Sequence, residues 1–430
     1  MRILLLTHRI PFPPNKGDKI RAFNILQHLT KRHEVFLASL IDDPADMEYV
    51  PQAAACVQGF VFERIHRRLG AVLALRGLLR SKSITVTHFY APRLQEKIDR
   101  IIEEHQIEVF FGFSSAMAEY LFRSRHADGA IARGLRIMDL IDVDSCKWEQ
   151  YACRSPPWAA WIYRYEARRI AEYERRIASA FERLFVVSEQ ERAHFPTTPT
   201  PKHLAVMSNG VDLEFFSPLF CTARAPQKGS QGPALVFTGQ MDYWPNIDGV
   251  SWFVERVWGR IRAVVPEVRL FIVGSRPSKK VLRLCATPGV TVTGFVADIR
   301  EYLCGESVCL APLRVARGIQ NKVLEAMAMG RAVIATTQAA EGIRAEPGKE
   351  ILVADGDEAF AAATVELLGD PQKAARIGSA ARRCVERHYS WADNLRVLDQ
   401  LVIESPRQQQ PSAPPALAPA SAGGAAARRR

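Results

Sequence analysis

The sequence predicts an α/β protein made of two doubly wound parallel sheets. Three observations carry that prediction. Short apolar runs alternate with longer amphipathic stretches from end to end. The alternation is interrupted once, near the middle, by a stretch with prolines, glycines and no apolar periodicity. The chain has 430 residues, 48% hydrophobic and 24% charged, which is the size and composition of two globular domains with ample core. A strand–helix rhythm of this kind means parallel strands joined by right-handed crossovers.

In order, the first half predicts strands at Ile3–Thr7, Glu34–Leu40, Phe60–Ile65, Val109–Ser114, Ile137–Ile141, Leu184–Ser188 and Leu204–Ser208. Helical patterns such as Ile20–Lys31 and Ala91–His105 fall between them. Ser217–Pro233 reads as a linker. The second half predicts strands at Leu235–Thr238, Leu270–Gly274, Val290–Thr293, Val308–Ala311, Val333–Thr336 and Ile351–Ala354. The expected division is a first domain over 1–212, a linker over 213–233, a second domain over 234–387, a C-terminal helix over 388–404 and a tail over 405–430. That tail is rich in Pro, Ala, Ser and Gln and cannot bury a core, so its terminal arginines are expected to be solvated. Two Rossmann-like halves joined by a linker face each other across a cleft. Ligands of such sheets bind beyond the carboxyl ends of the strands.

Composition narrows the function classes. Lys and Arg number 57 against 46 Asp and Glu, a net charge of +11, which suits anionic partners. No compact basic module with interleaved aromatics appears, so nucleic acid is not an expected partner. Eight cysteines lie scattered without a C-x-x-C pair, and are read as reduced core residues of a cytoplasmic protein. Met1–Thr7 is too short for a signal sequence and reads as a buried strand. No window is long and apolar enough to span a membrane. His8, His88 and His194 lack metal spacing and are expected to pack or to face solvent. Arg64, Arg67, Arg68, Arg76, Arg80 and Lys82 interleave with leucines and Val72, a basic amphipathic pattern that fits either an anionic membrane or a core-packed helix.

Three local patterns point to chemistry. No G-x-G-x-x-G follows a predicted strand and no Walker loop is present, which disfavours nicotinamide enzymes and P-loop hydrolases. After the first strand comes Pro11-Phe12-Pro13-Pro14-Asn15-Lys16-Gly17-Asp18, where Gly17 and a helix start would admit an anion. In the second half a strand is expected to end near Pro312, and Ala316–Ile334 follows with a glycine loop at Gly318 and a helix from about Asn321, the expected N-cap. Lys322 and Glu325 share one helical face there. They fit either a diphosphate and a ribose or a surface ion pair. Asp142-Val143-Asp144 invites a metal reading as a D-x-D triplet, against cleft-facing carboxylates or a structural loop.

The Ala316–Ile334 stretch resembles the donor-site signature of the large group 1 family of retaining GT-B glycosyltransferases. Further segments agree in order: Phe185–Glu189, Ser208–Asp212 with Phe216-Ser217-Pro218, Phe237-Thr238-Gly239 and Val292–Val296. Asp139–Trp148, Thr238–Asn246 and Arg314–Met329 are most similar to the sugar transferases associated with exosortase (PEP-CTERM) and exopolysaccharide loci. The resemblance implies a GT-B fold. It also implies transfer of a hexose from a nucleoside-diphosphate sugar to a hydroxyl of a lipid-linked glycan, with retention and without an essential metal or cofactor. A cytoplasmic protein, peripheral on the inner membrane face, is expected. Glu325 would hold the ribose and Lys322 the diphosphate, with Phe295 and Val296 facing the base. Gly17, Gly239, Asn246, Arg314, Arg317, Gly318 and Asn321 complete the expected donor site. Asp142 and Asp144 would act with Lys322 at the reaction centre, and Lys147 and Trp148 would meet the acceptor. Arg317 departs from the family pattern, which has a sugar-contacting Glu eight positions before the helix Glu. A nucleotide-sugar epimerase and an inactive sugar-nucleotide-binding scaffold remain alternatives.

Overall fold

The computed structural model describes residues 1–65, 82–195, 198, 201–222, 232–305 and 307–403. Among these residues thirteen parallel strands form two sheets. The first contains β1 (Arg2–Thr7), β2 (Glu34–Ile41), β3 (Gly59–Arg64), β4 (Val109–Phe113), β5 (Leu135–Ile141), β6 (Arg183–Val186) and β7 (Leu204–Val206), in the order β3-β2-β1-β4-β5-β6-β7. The second contains β8 (Ala234–Thr238), β9 (Arg269–Val273), β10 (Val290–Gly294), β11 (Ser307–Ala311), β12 (Val333–Ala335) and β13 (Leu352–Val353), in the order β10-β9-β8-β11-β12-β13.

Every strand read from the sequence is present, because strands covered on both faces show as unbroken apolar runs. Alternate residues of β1 divide between the two faces. Leu4 and Leu6 pack with Phe36 and Phe110 on one side, Ile3 and Leu5 with Leu37 and Phe111 on the other. Strand order reverses between β1 and β4 and again between β8 and β11. A crevice opens at such switch points beyond the carboxyl ends of the strands. The loops after β1, β8 and β11 therefore all lead to the cleft, and they carry Gly17, Gly239 and Gly318.

Several details differ from expectation. The stretch between the domains is not wholly irregular: Leu219–Thr222 is helical. Cys221 in that turn is bonded to Cys304 of the second domain, which corrects the reading of all eight cysteines as reduced. Nor are the free ones mainly core, since Cys153 and Cys285 are exposed and only Cys309 and Cys384 are buried. The C-terminal helix expected over 388–404 is broken into Trp391–Asn394 and Arg396–Ile403. Both return to the first domain. Leu395 and Leu398 join Ile25 and Leu29 in its core, and His28 lies 2.9 Å from Asp399. Arg67, Arg68, Arg76 and Arg80, with the tail from 405 onward, lie outside the described residues. Among the described residues no helix is long and apolar enough to cross a membrane.

Candidate active site

The second domain supplies a cation and bare backbone. Val323, Leu324 and Met327 bury one face of the Asn321–Ala328 helix, so its start sits firmly above the ends of β8 and β11. No side chain caps that start, and its first N–H groups have no intrahelical partner. Asn321 is not the cap that the sequence suggested. Its carboxamide oxygen instead accepts a hydrogen bond from Asn209 of the first domain, at 3.1 Å. Next along the same first turn, Lys322 Nζ donates to Asn246 Oδ1 at 2.6 Å and lies 4.4 Å from the centre of the Phe237 ring. Asn246 is itself buried and donates to the Gln240 carbonyl at 2.8 Å, so it holds the lysine in place. At Gly239 (φ 153°) a Cβ would stand 2.8 Å from Asn246 Nδ2 and 3.0 Å from Lys322 Nζ. Only glycine leaves room for the ammonium. Among the described residues no ion pair joins Lys322 to Glu325. Burial pushes the lysine down to about 7, with Glu325 opposing, and pushes Glu325 up to about 7, with Lys322 opposing.

The first domain supplies carboxylates. After β5 the chain turns at Ile141, whose φ of 68° is rare for a β-branched residue. Hydrogen bonds from Ile141 N to Asp139 Oδ1 and from Val187 N to the Ile141 carbonyl hold that turn. Asp142 follows. Its carboxylate meets the backbone of Gly318 across the cleft, where a Cβ would come within 2.0 Å of Oδ1. Burial, then Glu191, pushes Asp142 up to about 7; Asp144 adds to this, while Lys147 and Arg317 oppose it. Asp144 accepts from Ser115 Oγ at 2.7 Å and pairs with Lys147. Burial opposes the Lys147 charge, yet Asp144 and Asp142 hold that ammonium above the usual lysine range.

Glu191 is the residue the sequence did not reveal. It follows Ser188 by three places, the pattern of a helix capping box, and Ser188 Oγ does accept the Glu191 N–H at 3.2 Å. Its own carboxylate points elsewhere. It accepts Val143 N at 2.7 Å and Gly318 N at 3.3 Å, and pairs with Arg317 at 2.9 Å. The Glu191 and Arg317 side chains are 3% and 7% exposed. Arg317, the departure from the family pattern, thus spends its charge on the opposite domain.

The remaining expected residues are distributed around this centre. A Cβ on Gly17 would lie 3.6 Å from Asn321 Nδ2, so the first loop faces the helix start. Trp148 stacks on Tyr163 and meets Tyr151 edge-on. Tyr151 reaches the second domain, with its hydroxyl 3.2 Å from that of Tyr243 and its ring against Trp244. Phe295 is 79% exposed beyond β10, whereas Val296 packs on the core. Arg314 is turned away, paired with Asp248 at a polar cavity of about 410 Å³ that also includes Trp252, Lys280 and Asp357. His8 is buried, one of the two outcomes expected of it. It lies 3.2 Å from Asp18 and stacks on Phe113. Against its burial, His8 and Arg9 hold the Asp18 carboxyl well below the usual range.

Two α/β domains meeting at such a cleft define the GT-B fold. Residues 232–370 match the family model described as glycosyl transferases group 1. Over 236 residues the chain is 28% identical to a GDP-mannose-dependent monoacylated alpha-(1-6)-phosphatidylinositol monomannoside mannosyltransferase of Corynebacterium glutamicum, an alignment spanning 50% of this chain and 59% of that relative. Among solved structures, the sucrose-phosphate synthase of Thermosynechococcus elongatus superposes with a TM-score of 0.68 at 16% identity, covering 94% of this chain and 99% of the other. Anabaena HepE, solved with UDP and glucose, superposes with a TM-score of 0.62 at 16% identity over the same shares.

Proposed function

We propose that the protein is a glycosyltransferase that moves a hexose from a nucleoside-diphosphate sugar to a hydroxyl of a lipid-linked glycan in exopolysaccharide assembly. The observation that carries this reading is the position of Lys322. Its ammonium lies on the first turn of an uncapped helix, beside the Gly239 backbone and held by Asn246, while the neighbouring Asn321 and Gly318 meet the Gly17 loop and Asp142 of the other domain. A fixed cation and free N–H groups suit a departing diphosphate, whose charge grows as the sugar leaves. Glu325 would hold the ribose and exposed Phe295 would stack on the base.

The acceptor enters beside Lys147 and Trp148, with Asp142 orienting its hydroxyl. The bond from the anomeric carbon to the diphosphate oxygen breaks, and a bond to the acceptor oxygen forms on the same face. Because the new bond forms on the face the diphosphate leaves, configuration is retained, and the hydroxyl proton passes to the departing diphosphate with no metal needed to take up its charge. The phosphatidylinositol mannoside named for the bacterial relative supports a lipid-linked acceptor, and the motifs shared with exosortase-associated transferases support the exopolysaccharide setting.

A screen of nucleoside diphosphates for thermal stabilisation finds the base, because a ligand of the native state raises the melting temperature by mass action. Incubation with the matching nucleotide-sugar, acceptor and EDTA should then yield a glycoside of unchanged anomeric configuration. Isomerised nucleotide-sugar without transfer would return the epimerase reading to first place. Stabilisation without any turnover would favour the scaffold. Activity restored only by Mn²⁺ would transfer the diphosphate to Asp142 and Asp144.

A further inference from the structure

Among the described residues, one face of the Pro157–Ala180 helix stands largely exposed. Ala159, Ala167, Ile170 and Ile177 bury the opposite side against the first domain. On the outer side, Trp158, Trp161, Tyr165, Arg168, Glu172 and Arg175 follow at steps of three and four, so they form one stripe. Trp158 is 71% exposed and Trp161 53%. Arg164, beside the stripe, and Arg168 and Arg175 within it are exposed as well. Glu172 is the one acidic member, and it pairs with Arg169 at 2.8 Å.

Bare indoles at one end and guanidinium groups along the rest form the pattern that seats a helix on an anionic bilayer. The rings enter the headgroup layer and the arginines meet lipid phosphates. A run of arginines more than two turns long is more than one sugar ring can engage, which favours an extended anionic surface as the occupant. The location agrees. Tyr163, between the indoles and the arginines, stacks on Trp148, which leads through Tyr151 to Tyr243 and Trp244 of the second domain. The tryptophan-bearing end therefore stands at the cleft mouth. The basic sequence ending at Lys82 also arrives at this helix: Tyr165 donates to the Lys82 carbonyl at 3.3 Å. Ser83 Oγ, Ile84 N and Thr85 N all donate to Glu166, at 2.6, 2.6 and 2.9 Å.

We infer that the outer face of the Pro157–Ala180 helix docks on an anionic membrane surface and presents the cleft mouth to a membrane-borne acceptor. The inference rests on the proposed transfer to a lipid-linked glycan. The test is co-sedimentation of the full chain with vesicles of phosphatidylcholine and phosphatidylglycerol, against vesicles of phosphatidylcholine alone. The wild type should bind only the anionic vesicles, weaken with salt and shift its tryptophan emission to shorter wavelength. Trp158→Ala with Trp161→Ala, and separately Arg164→Glu with Arg168→Glu, should each weaken binding about tenfold or more, at ~1 kcal/mol per basic residue near the surface. Both should keep stabilisation by nucleoside diphosphate, which shows that the fold persists. Vesicle binding unchanged in the two variants would overturn the inference and place membrane contact elsewhere on the chain. So would a wild type that transfers sugar to a soluble acceptor yet ignores anionic vesicles, and that result would leave the proposed reaction standing. A face that instead self-associates in solution, with no vesicle binding, would make it a protein contact.

Discussion

Along the cleft edge of the second domain, Gly239, Gly318 and the open start of the Asn321–Ala328 helix present backbone, and Lys322 carries the cation. Along the edge of the first domain stand Asp18, Asp142, Asp144 and Glu191. Three of these four carboxylates are already engaged: Asp18 by His8 and Arg9, Asp144 by Ser115 and Lys147, Glu191 by Val143, Gly318 and Arg317. Asp142 alone accepts no hydrogen bond among the described residues. The same sheet architecture thus serves two purposes. The second domain offers an anion Lys322 and the open helix start, whereas the first engages Asp18 and Asp144 within its own edge, sends Glu191 across to Gly318 and Arg317, and leaves the Asp142 carboxyl without a hydrogen bond among the described residues.

The largest effect should come from undoing the contact that joins the two edges. Glu191→Ala strands the Arg317 guanidinium in a buried position, and loss of one partner of a buried pair costs about 3–5 kcal/mol. Denaturant unfolding should show that loss. Adding Arg317→Met to Glu191→Ala removes the stranded charge and should restore most of the stability. A single variant as stable as the wild type would mean that water already reaches the pair, and Glu191 would no longer count as the fixed link between the two edges.

A smaller effect tests the second edge. Lys322→Ala should weaken nucleoside diphosphate binding about tenfold or more, since a charged hydrogen bond contributes roughly 1.5–3 kcal/mol. Binding of the uncharged nucleoside should hardly change, and turnover should fall along with donor affinity. Equal loss for nucleoside and diphosphate in calorimetry would make Lys322 a support for Asn246. Glu325→Gln is the converse probe: it should weaken both ligands alike, because both carry the ribose.

The two edges also differ in how much of them could be read from sequence. The second is one continuous strand, loop and helix, so residue types at fixed spacing already placed Lys322 and Glu325 on one face. The first is assembled from residues 17, 142, 191 and 209, which only the sheet order brings together. Glu191 was hidden because Ser188-x-x-Glu191 already satisfies a local capping pattern, and nothing in it announces a bond to Arg317. Asn246 was legible as part of a motif, but its action through Lys322 needed coordinates. The Cys221–Cys304 bond was equally invisible, since 83 residues separate the two and no spacing rule connects them.

The smallest of the three effects concerns pH, and it separates the two groups at the second edge. Burial holds Lys322 near 7, so in the free protein a large share of it is neutral at physiological pH. A diphosphate prefers the protonated lysine and so draws a proton on binding. Apparent affinity then scales with the protonated fraction. That fraction falls from about one half at pH 7 to about a tenth at pH 8, an expected loss of about fivefold in affinity. Glu325 pulls the other way: raised to about 7, in the proposed role of ribose ligand it would accept hydroxyls best when ionised, so its share of the affinity should grow with pH. The variants tell them apart. Lys322→Arg stays charged across the range and should abolish the fall, leaving any rise due to Glu325. Glu325→Gln should steepen the fall, since no opposing ionisation remains. Calorimetry at pH 8 in buffers of different ionisation enthalpy should register proton uptake for the wild type and none for Lys322→Arg. Proton release by the wild type would mean that Glu325 governs the pair, and the cation facing the diphosphate would have to be sought outside the second edge.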